Sequence, residues 1–266
     1  MIVKEKNGEG FLDLRICDNL ELMAEIKDNT IDLIYCDILY GTGRKFKDYQ
    51  DLKPIRSDIE SHYIPRIKEM HRILKPTGSI YLQMDTRINH WIRCILDDVF
   101  GYDRFLNEII WGYRIQGVSK NKFPSKHDHI LYYSKTEKRT YKPEKERIYY
   151  EKQFFDVMTD ENGRFYSDVY VRDIWDCDIT KPLISGSKEY LKYNTQKPKK
   201  LIERIIKASS NEGDLVADFY AGSFTTAEVC KDLKRNFIGC DINPNCFEKA
   251  KERGLFSFTD EPDKLD

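Results

Sequence analysis

Asp37 closes the apolar run Ile31 to Cys36, and three residues later comes Tyr40, followed by the glycine-bracketed turn Gly41-Thr42-Gly43. A carboxylate accepts hydrogen bonds, and an aromatic ring offers a flat face. Brought out together at the end of a buried strand, they have the makings of a site. A second constellation lies far along the chain. Asp218 to Thr226 reads "DFYAGSFTT" and stands between a strand-like run and a helix-like run. Small residues in such a loop let the backbone approach a ligand closely. Roughly one helix later the run "RNFIGCD" ends at Asp241, where an acid can accept hydrogen bonds from both hydroxyls of a ribose. The three-glycine dinucleotide fingerprint is absent, which disfavours a nicotinamide enzyme.

The elements that must position these residues alternate. "LRICD" reads as a strand ending near Asp18, with a helix after it, and "IDLIYCD" as a buried parallel strand. Residues 62 to 74 place Ile64, Ile67, Met70 and Leu74 on one helical stripe, which "KPTG" stops. "SIYLQMD" is then a strand and residues 91 to 99 a helix. In the middle, "HDHILYYSK" reads as a strand among loops and short hairpins. Order returns at Pro198, with Leu201, Ile202, Ile205 and Ile206 on one helical face. Strands and helices alternate at both ends, so the fold class is α/β with a mainly parallel sheet and helices on both faces.

The 266 residues carry 44 lysines and arginines against 45 acids, but the balance is uneven. Residues 111 to 150 hold ten lysines or arginines against four acids, with aromatic residues interleaved. Such a block fits a polyanion, because cations neutralise phosphates and rings stack on bases. The cysteines, at 17, 36, 94, 177, 230, 240 and 246, include no pair with a two-residue gap. Together with the absence of an apolar leader they imply a reducing cytoplasm, no disulfide and no structural metal. His127 and His129 alternate on a strand without a third ligand and are expected to face nucleic acid and solvent. Trp111 and Trp175 fit either a core or a groove contact. No apolar run reaches the roughly 20 residues of a membrane span.

"DFYAGSFTT" resembles the "DPFxGSGTT" cofactor loop of the amino-methylating DNA methyltransferases that use S-adenosylmethionine. "YNTQKPKKLIERII" is similar to their "TQKPxxLxxRII" segment, and "IDLIYCDILYGTG" stands in the place of their catalytic "DPPYxTG". The catalytic motif comes first and the cofactor loop last, the order of the β class. The resemblance implies a Rossmann-like methyltransferase fold. Residues 1–110 would form its catalytic half, 111–190 an inserted target-recognition region with core strands, and 191–266 its cofactor-binding half.

It also implies roles. Ala221, Gly222, Ser223 and Thr225, with Phe219 beside them, would line the methionine moiety of S-adenosyl-L-methionine, and Asp218 would contact its amino group. Asp241 would hold the ribose, Asp18 would lie near the adenine rim, and Lys197 and Pro198 would pack by the carboxylate end. Asp37, beside the cofactor, would act with Ile38, Leu39 and Tyr40 as the catalytic motif. Its carboxylate and the Ile38 carbonyl would accept the hydrogens of a target amine while the Tyr40 ring stacks on a flipped base. Arg114, Lys120, Lys122 and Lys126 would contact double-stranded DNA. Aspartate at the head of the motif favours adenine N6; the alternatives are cytosine N4, or a weakened or silent DNA-binding relative. A cognate restriction endonuclease and a homodimer are partners the class allows. Two departures stand out: Ile38 and Leu39 replace both motif prolines, and Phe224 replaces a glycine. The second implies either an ordinary backbone there or reduced cofactor affinity.

Overall fold

The computed structural model describes residues 1–7, 10–45, 50–113, 119–175, 181–184, 186–193 and 195–256. Three segments open the chain: the hairpin β1 (Ile2–Asn7) and β2 (Gly10–Ile16), α1 (Asn19–Glu25), and β3 (Ile31–Asp37). Next come α2 (Arg56–Ile73), β4 (Leu74–Met84), α3 (Asn89–Phe100), β5 (Phe105–Gly112) and β6 (His127–Ser134). The short strands β7 (Lys145–Tyr150), β8 (Met158–Thr159), β9 (Phe165–Tyr170) and β10 (Ile174–Trp175) fill the middle. The chain closes with α4 (Lys199–Ser209), β11 (Leu215–Asp218), α5 (Thr225–Asp232), β12 (Asn236–Asp241) and α6 (Asn245–Glu252).

Among the described residues nine strands form one sheet in the order β1-β2-β12-β11-β3-β4-β6-β5-β10, and β7, β9 and β8 form a separate antiparallel sheet. The run from β2 through β12, β11 and β3 to β4 is parallel, whereas β6 lies antiparallel between β4 and β5. This is an α/β fold with helices on both faces. Ile34 and Cys36 of β3 pack on the side of α1, α2 and α3, and Leu33 and Tyr35 on the side of α4, α5 and α6. A strand covered on both faces has no polar alternation to show, which is why "IDLIYC" reads as one apolar run. The chain leaves β3 toward β4 on one side and returns at β11 on the other, so strand order reverses between β3 and β11. A crevice beyond the strands' carboxyl ends follows from that reversal.

Several expectations are corrected. The buried stripe of α2 is Ile59, Tyr63, Ile67, Met70 and Ile73, while Ile64 is exposed and Leu74 already starts β4. Ile59 sits alone in a polar turn, so the helix begins earlier than its apolar pattern does. "KPTG" lies inside β4, where its pairing with β3 shifts register between Ile31 and Leu33. Trp111 and Trp175 are register partners and buried in the core. His129, expected to face solvent, is buried and bonded to Glu108. The 110/111 boundary falls inside β5.

Candidate active site

The reversal point holds a cavity lined by residues from the ends of four parallel strands: Asp18 after β2, Asp37 of β3, Asp218 of β11 and Asp241 of β12. Strand order therefore gathers carboxylates that are up to 223 positions apart in the chain. Phe219, Ala221, Gly222, Ser223 and Thr225 line it, as do Ile38, Leu39, Tyr40 and Lys197. Pro198 is buried at the start of α4 and does not line it.

Asp37 is tied on both oxygens. Its Oδ2 accepts from Lys197 Nζ at 2.5 Å, and its Oδ1 accepts from the Tyr40 hydroxyl at 2.8 Å. Burial drives the Asp37 carboxyl above the usual carboxylate range, against the pull of the Lys197 ammonium. Lys197 also lies 5.3 Å above the centre of the Tyr40 ring. The turn that carries these groups lacks prolines and is held by hydrogen bonds instead. Asp51, 4% exposed, accepts from the amides of Gly41 (3.2 Å), Thr42 (2.7 Å) and Leu52 (2.8 Å), and from the Thr42 hydroxyl. Tyr63 donates to the Leu39 carbonyl at 2.9 Å. The Ile38 amide donates to the Gln83 carbonyl at 3.0 Å, a bond that a proline there could not make.

The loop after β11 is built differently. Gly222 has φ +51°, and a Cβ there would meet the Tyr193 ring at 3.3 Å. Its amide donates to Asp241 Oδ2 at 2.8 Å, while the Asn243 amide donates to Oδ1 at 2.9 Å. The Phe224 backbone is left-handed, at φ 55° and ψ 33°, a conformation that glycine adopts freely and other residues only with strain. The expected choice between an ordinary backbone and a weakened site is thereby overturned on its first branch. The ring is fully buried, and its centroid lies 6.3 Å from that of Phe237 and 5.9 Å from that of Phe247. Arg253 donates to the Ser223 carbonyl and to the hydroxyls of Ser223 and Thr225, fixing the end of the loop.

The cavity is lined by more acids than bases: Asp18, Asp37, Asp51, Asp218 and Asp241 stand against Arg66 and Lys197. Burial raises the Asp218 carboxyl to about 7 against the Thr226 hydroxyl and the Tyr220 amide, with the Asp37 and Asp241 carboxylates adding to the rise. Burial also raises Asp241, opposed by the backbone amides it accepts from. Asp18 caps α1 and pairs with Arg66 at 2.9 Å. His62, driven down to about 4 by burial and then by Arg66, is neutral at pH 7 and lies 3.2 Å from the Tyr220 hydroxyl.

A second cavity adjoins the first and shares Tyr40, Tyr193, Thr195, Gln196 and Lys197 with it; Trp111, Tyr113 and Asp128 complete much of its wall. Tyr40 and Lys197 thus stand on the partition. Lys120 and Lys122 are exposed and Lys126 half-buried on the connection between β5 and β6, whereas Arg114 lies outside the described residues. Among the described residues no cluster of three or more potential metal ligands occurs, and no helix is long and apolar enough to cross a membrane. Sequence reasoning missed Asp51, His62, Arg66, Tyr193 and Asp128, whose places depend on long-range packing. Only the nearness of Asp51 to the turn was a local sign.

A family model described as DNA methylase matches residues 31–252. The type II methyltransferase M.HpaI of Haemophilus parainfluenzae is 33% identical over 240 residues, 90% of this chain and 73% of that protein. The DNA adenine methyltransferase YhdJ of Escherichia coli (strain K12) is 31% identical over 244 residues, 89% of this chain and 80% of that protein. Among solved structures, PvuII DNA methyltransferase (cytosine-N4-specific) aligns with a TM-score of 0.67 at 18% identity, covering 94% of this chain and 88% of that one. The M1.HpyAVI–SAM complex aligns with a TM-score of 0.61 at 21% identity, covering 92% and 100%. At these identities the structural likenesses establish the fold.

Proposed function

The chain belongs to the family of amino-methylating DNA methylases, and from that premise we propose that it methylates the exocyclic N6 of adenine in duplex DNA. The observation that carries the reading is the partition: Tyr40 and Lys197 line both the carboxylate-rich cavity and the ring-lined one, and both bond to Asp37 of the first. The methyl donor is S-adenosyl-L-methionine, which when bound supplies an electrophilic methyl group on a positively charged sulfur. The residues fit such a ligand, since buried carboxylates face a cation and the bare Gly222 backbone leaves room beside Tyr193. Asp241 would hold the ribose hydroxyls and Asp218 the amino group, while Ala221, Gly222, Ser223 and Thr225 shape the wall. Asp18 would border the adenine, and Lys197 would steady Asp37.

An exocyclic amine is a poor nucleophile because its lone pair is delocalised into the ring. Asp37 and the Ile38 carbonyl would accept its two hydrogens and favour a pyramidal nitrogen, and the Tyr40 ring would hold the flipped base in line. Aspartate at the head of the motif supports adenine, as does the name of the 31% identical relative. The 111–190 region, with Lys120, Lys122 and Lys126 beside an exposed Phe123, would read the DNA. The type II naming of relatives supports a restriction–modification setting.

The test compares wild type with Asp37→Ala on unmethylated duplex DNA and a methyl-labelled donor. Wild type should label the DNA. The variant should lose at least about 100-fold in transfer rate while calorimetry finds its donor affinity nearly unchanged. Transfer at the wild-type rate would remove Asp37 from the chemistry.

A further inference from the structure

The Tyr40 hydroxyl faces two carboxylates. Asp37 Oδ1 lies 2.8 Å away on one side and Asp128 Oδ2 lies 2.7 Å away on the other. A hydroxyl has one hydrogen, so at any instant it donates to one of them. The two acceptors are not equivalent. Asp37 is the group expected to receive a hydrogen of the target amine, and a donor already bound to its Oδ1 competes with that amine. Asp128 is 4% exposed and is held from behind by a buried chain: Tyr35 donates to Gln83 Oε1 at 2.8 Å, and Gln83 Nε2 donates to Asp128 Oδ2 at 3.0 Å. Tyr113 reaches the other oxygen at 3.3 Å. Gln83 lies on β4 and Asp128 on the antiparallel β6, so two core strands fix where this carboxylate points.

We propose that Asp128 is a positioning residue for methyl transfer: it takes the single hydrogen of the Tyr40 hydroxyl and so leaves Asp37 Oδ1 open to the target amine. The same bond anchors the far end of the Tyr40 ring at the wall between the two cavities. This rests on the proposed amine methylation and goes beyond it, since Asp128 is given a part through its bond to Tyr40. Asparagine at 128 keeps an oxygen for Tyr40 and Gln83, whereas alanine sends the hydroxyl hydrogen to Asp37 alone.

Single-turnover transfer to unmethylated duplex DNA, with calorimetric donor affinity alongside, tests this on the full chain. Asp128→Ala should slow transfer by about 10- to 100-fold, the worth of one charge-assisted hydrogen bond, with donor affinity unchanged. Asp128→Asn should stay close to wild type. Tyr40→Phe should keep about a third or more of the rate, because stacking needs the ring and not the hydroxyl. Asp128→Ala combined with Tyr40→Phe should be faster than Asp128→Ala alone, since no hydroxyl then occupies Asp37; a purely structural role predicts no such recovery. A double variant as slow as the alanine variant, or an alanine variant at the wild-type rate, overturns the proposal. Should Asp128→Ala fail to fold, Tyr40→Phe decides alone, and a loss beyond 100-fold there overturns it. Wild type that labels no DNA overturns the methylation reading and this proposal with it, and is told apart because every variant is then silent.

Discussion

The turn after β3, proposed to be catalytic, and the loop after β11, proposed to hold the cofactor, both depart from the pattern they resemble, and they compensate in opposite ways. The turn at Ile38-Leu39 gives up two residues that restrict the backbone, and it is held by hydrogen bonds from outside. The buried Asp51 gathers three amides and a hydroxyl, and Tyr63 takes the Leu39 carbonyl. The loop at Phe224 keeps the demanding backbone and changes the side chain. A left-handed non-glycine residue costs about 1–2 kcal/mol, while burying a phenylalanine side chain contributes about 1.5–3 kcal/mol, so the ring packed against Phe237 and Phe247 offsets the strain. One region replaces covalent stiffness by polar contacts, and the other balances local strain by apolar ones. Consequently, the first should fail in rate and the second in stability.

The largest effect should follow from Asp51→Ala. It leaves the Gly41 and Thr42 amides without their acceptor, and the turn that aims Asp37 and Tyr40 loosens. A misplacement of the order of an ångström costs about 100-fold in rate, to be read in single-turnover transfer with donor affinity nearly intact. An unchanged rate would mean that the turn is stiff for some other reason. Asp241→Ala should act next, and on binding. The ribose hydroxyls lose a charged acceptor and the Gly222 amide loses its partner, so calorimetry should find the donor weaker by about 1.5–3 kcal/mol. Unchanged affinity would place the ribose elsewhere. The smallest functional effect should be that of Phe224→Gly, which relieves the strain but empties a packed site. Large-to-small substitution of a buried phenylalanine costs about 3–5 kcal/mol, so thermal unfolding should register a net loss of about 1–4 kcal/mol once the relieved strain of about 1–2 kcal/mol is subtracted. Donor affinity should hold. A stabilised variant would reverse the account of this loop.

What the sequence disclosed followed how local the information was. The strand ending at Asp37, the loop from Asp218 and the strand ending at Asp241 are contiguous patterns, and each was legible as an element that carries residues to the cavity. The α2 stripe was legible only in part, because Ile59 lies in a polar turn and Ile64 has helical spacing but faces out. His129 and Asp128 sit in one basic stretch whose spacing fits an exposed strand. Only the pairing of β6 with both β4 and β5 buries them. The supports of the catalytic turn were invisible because they come from Asp51 and Tyr63, one beyond the turn and one on a helix. The backbone of Phe224 could not be read from its type, since the burial that tolerates it comes from β12 and α6.

The central claim is that these two differently supported loops cooperate to methylate adenine. Purified protein should be incubated with unmethylated duplex DNA and S-adenosylmethionine, the DNA digested to nucleosides, and the products weighed by mass spectrometry. The account predicts N6-methyladenine that accumulates with time. N4-methylcytosine in its place, or no methylated nucleoside at all, would contradict it.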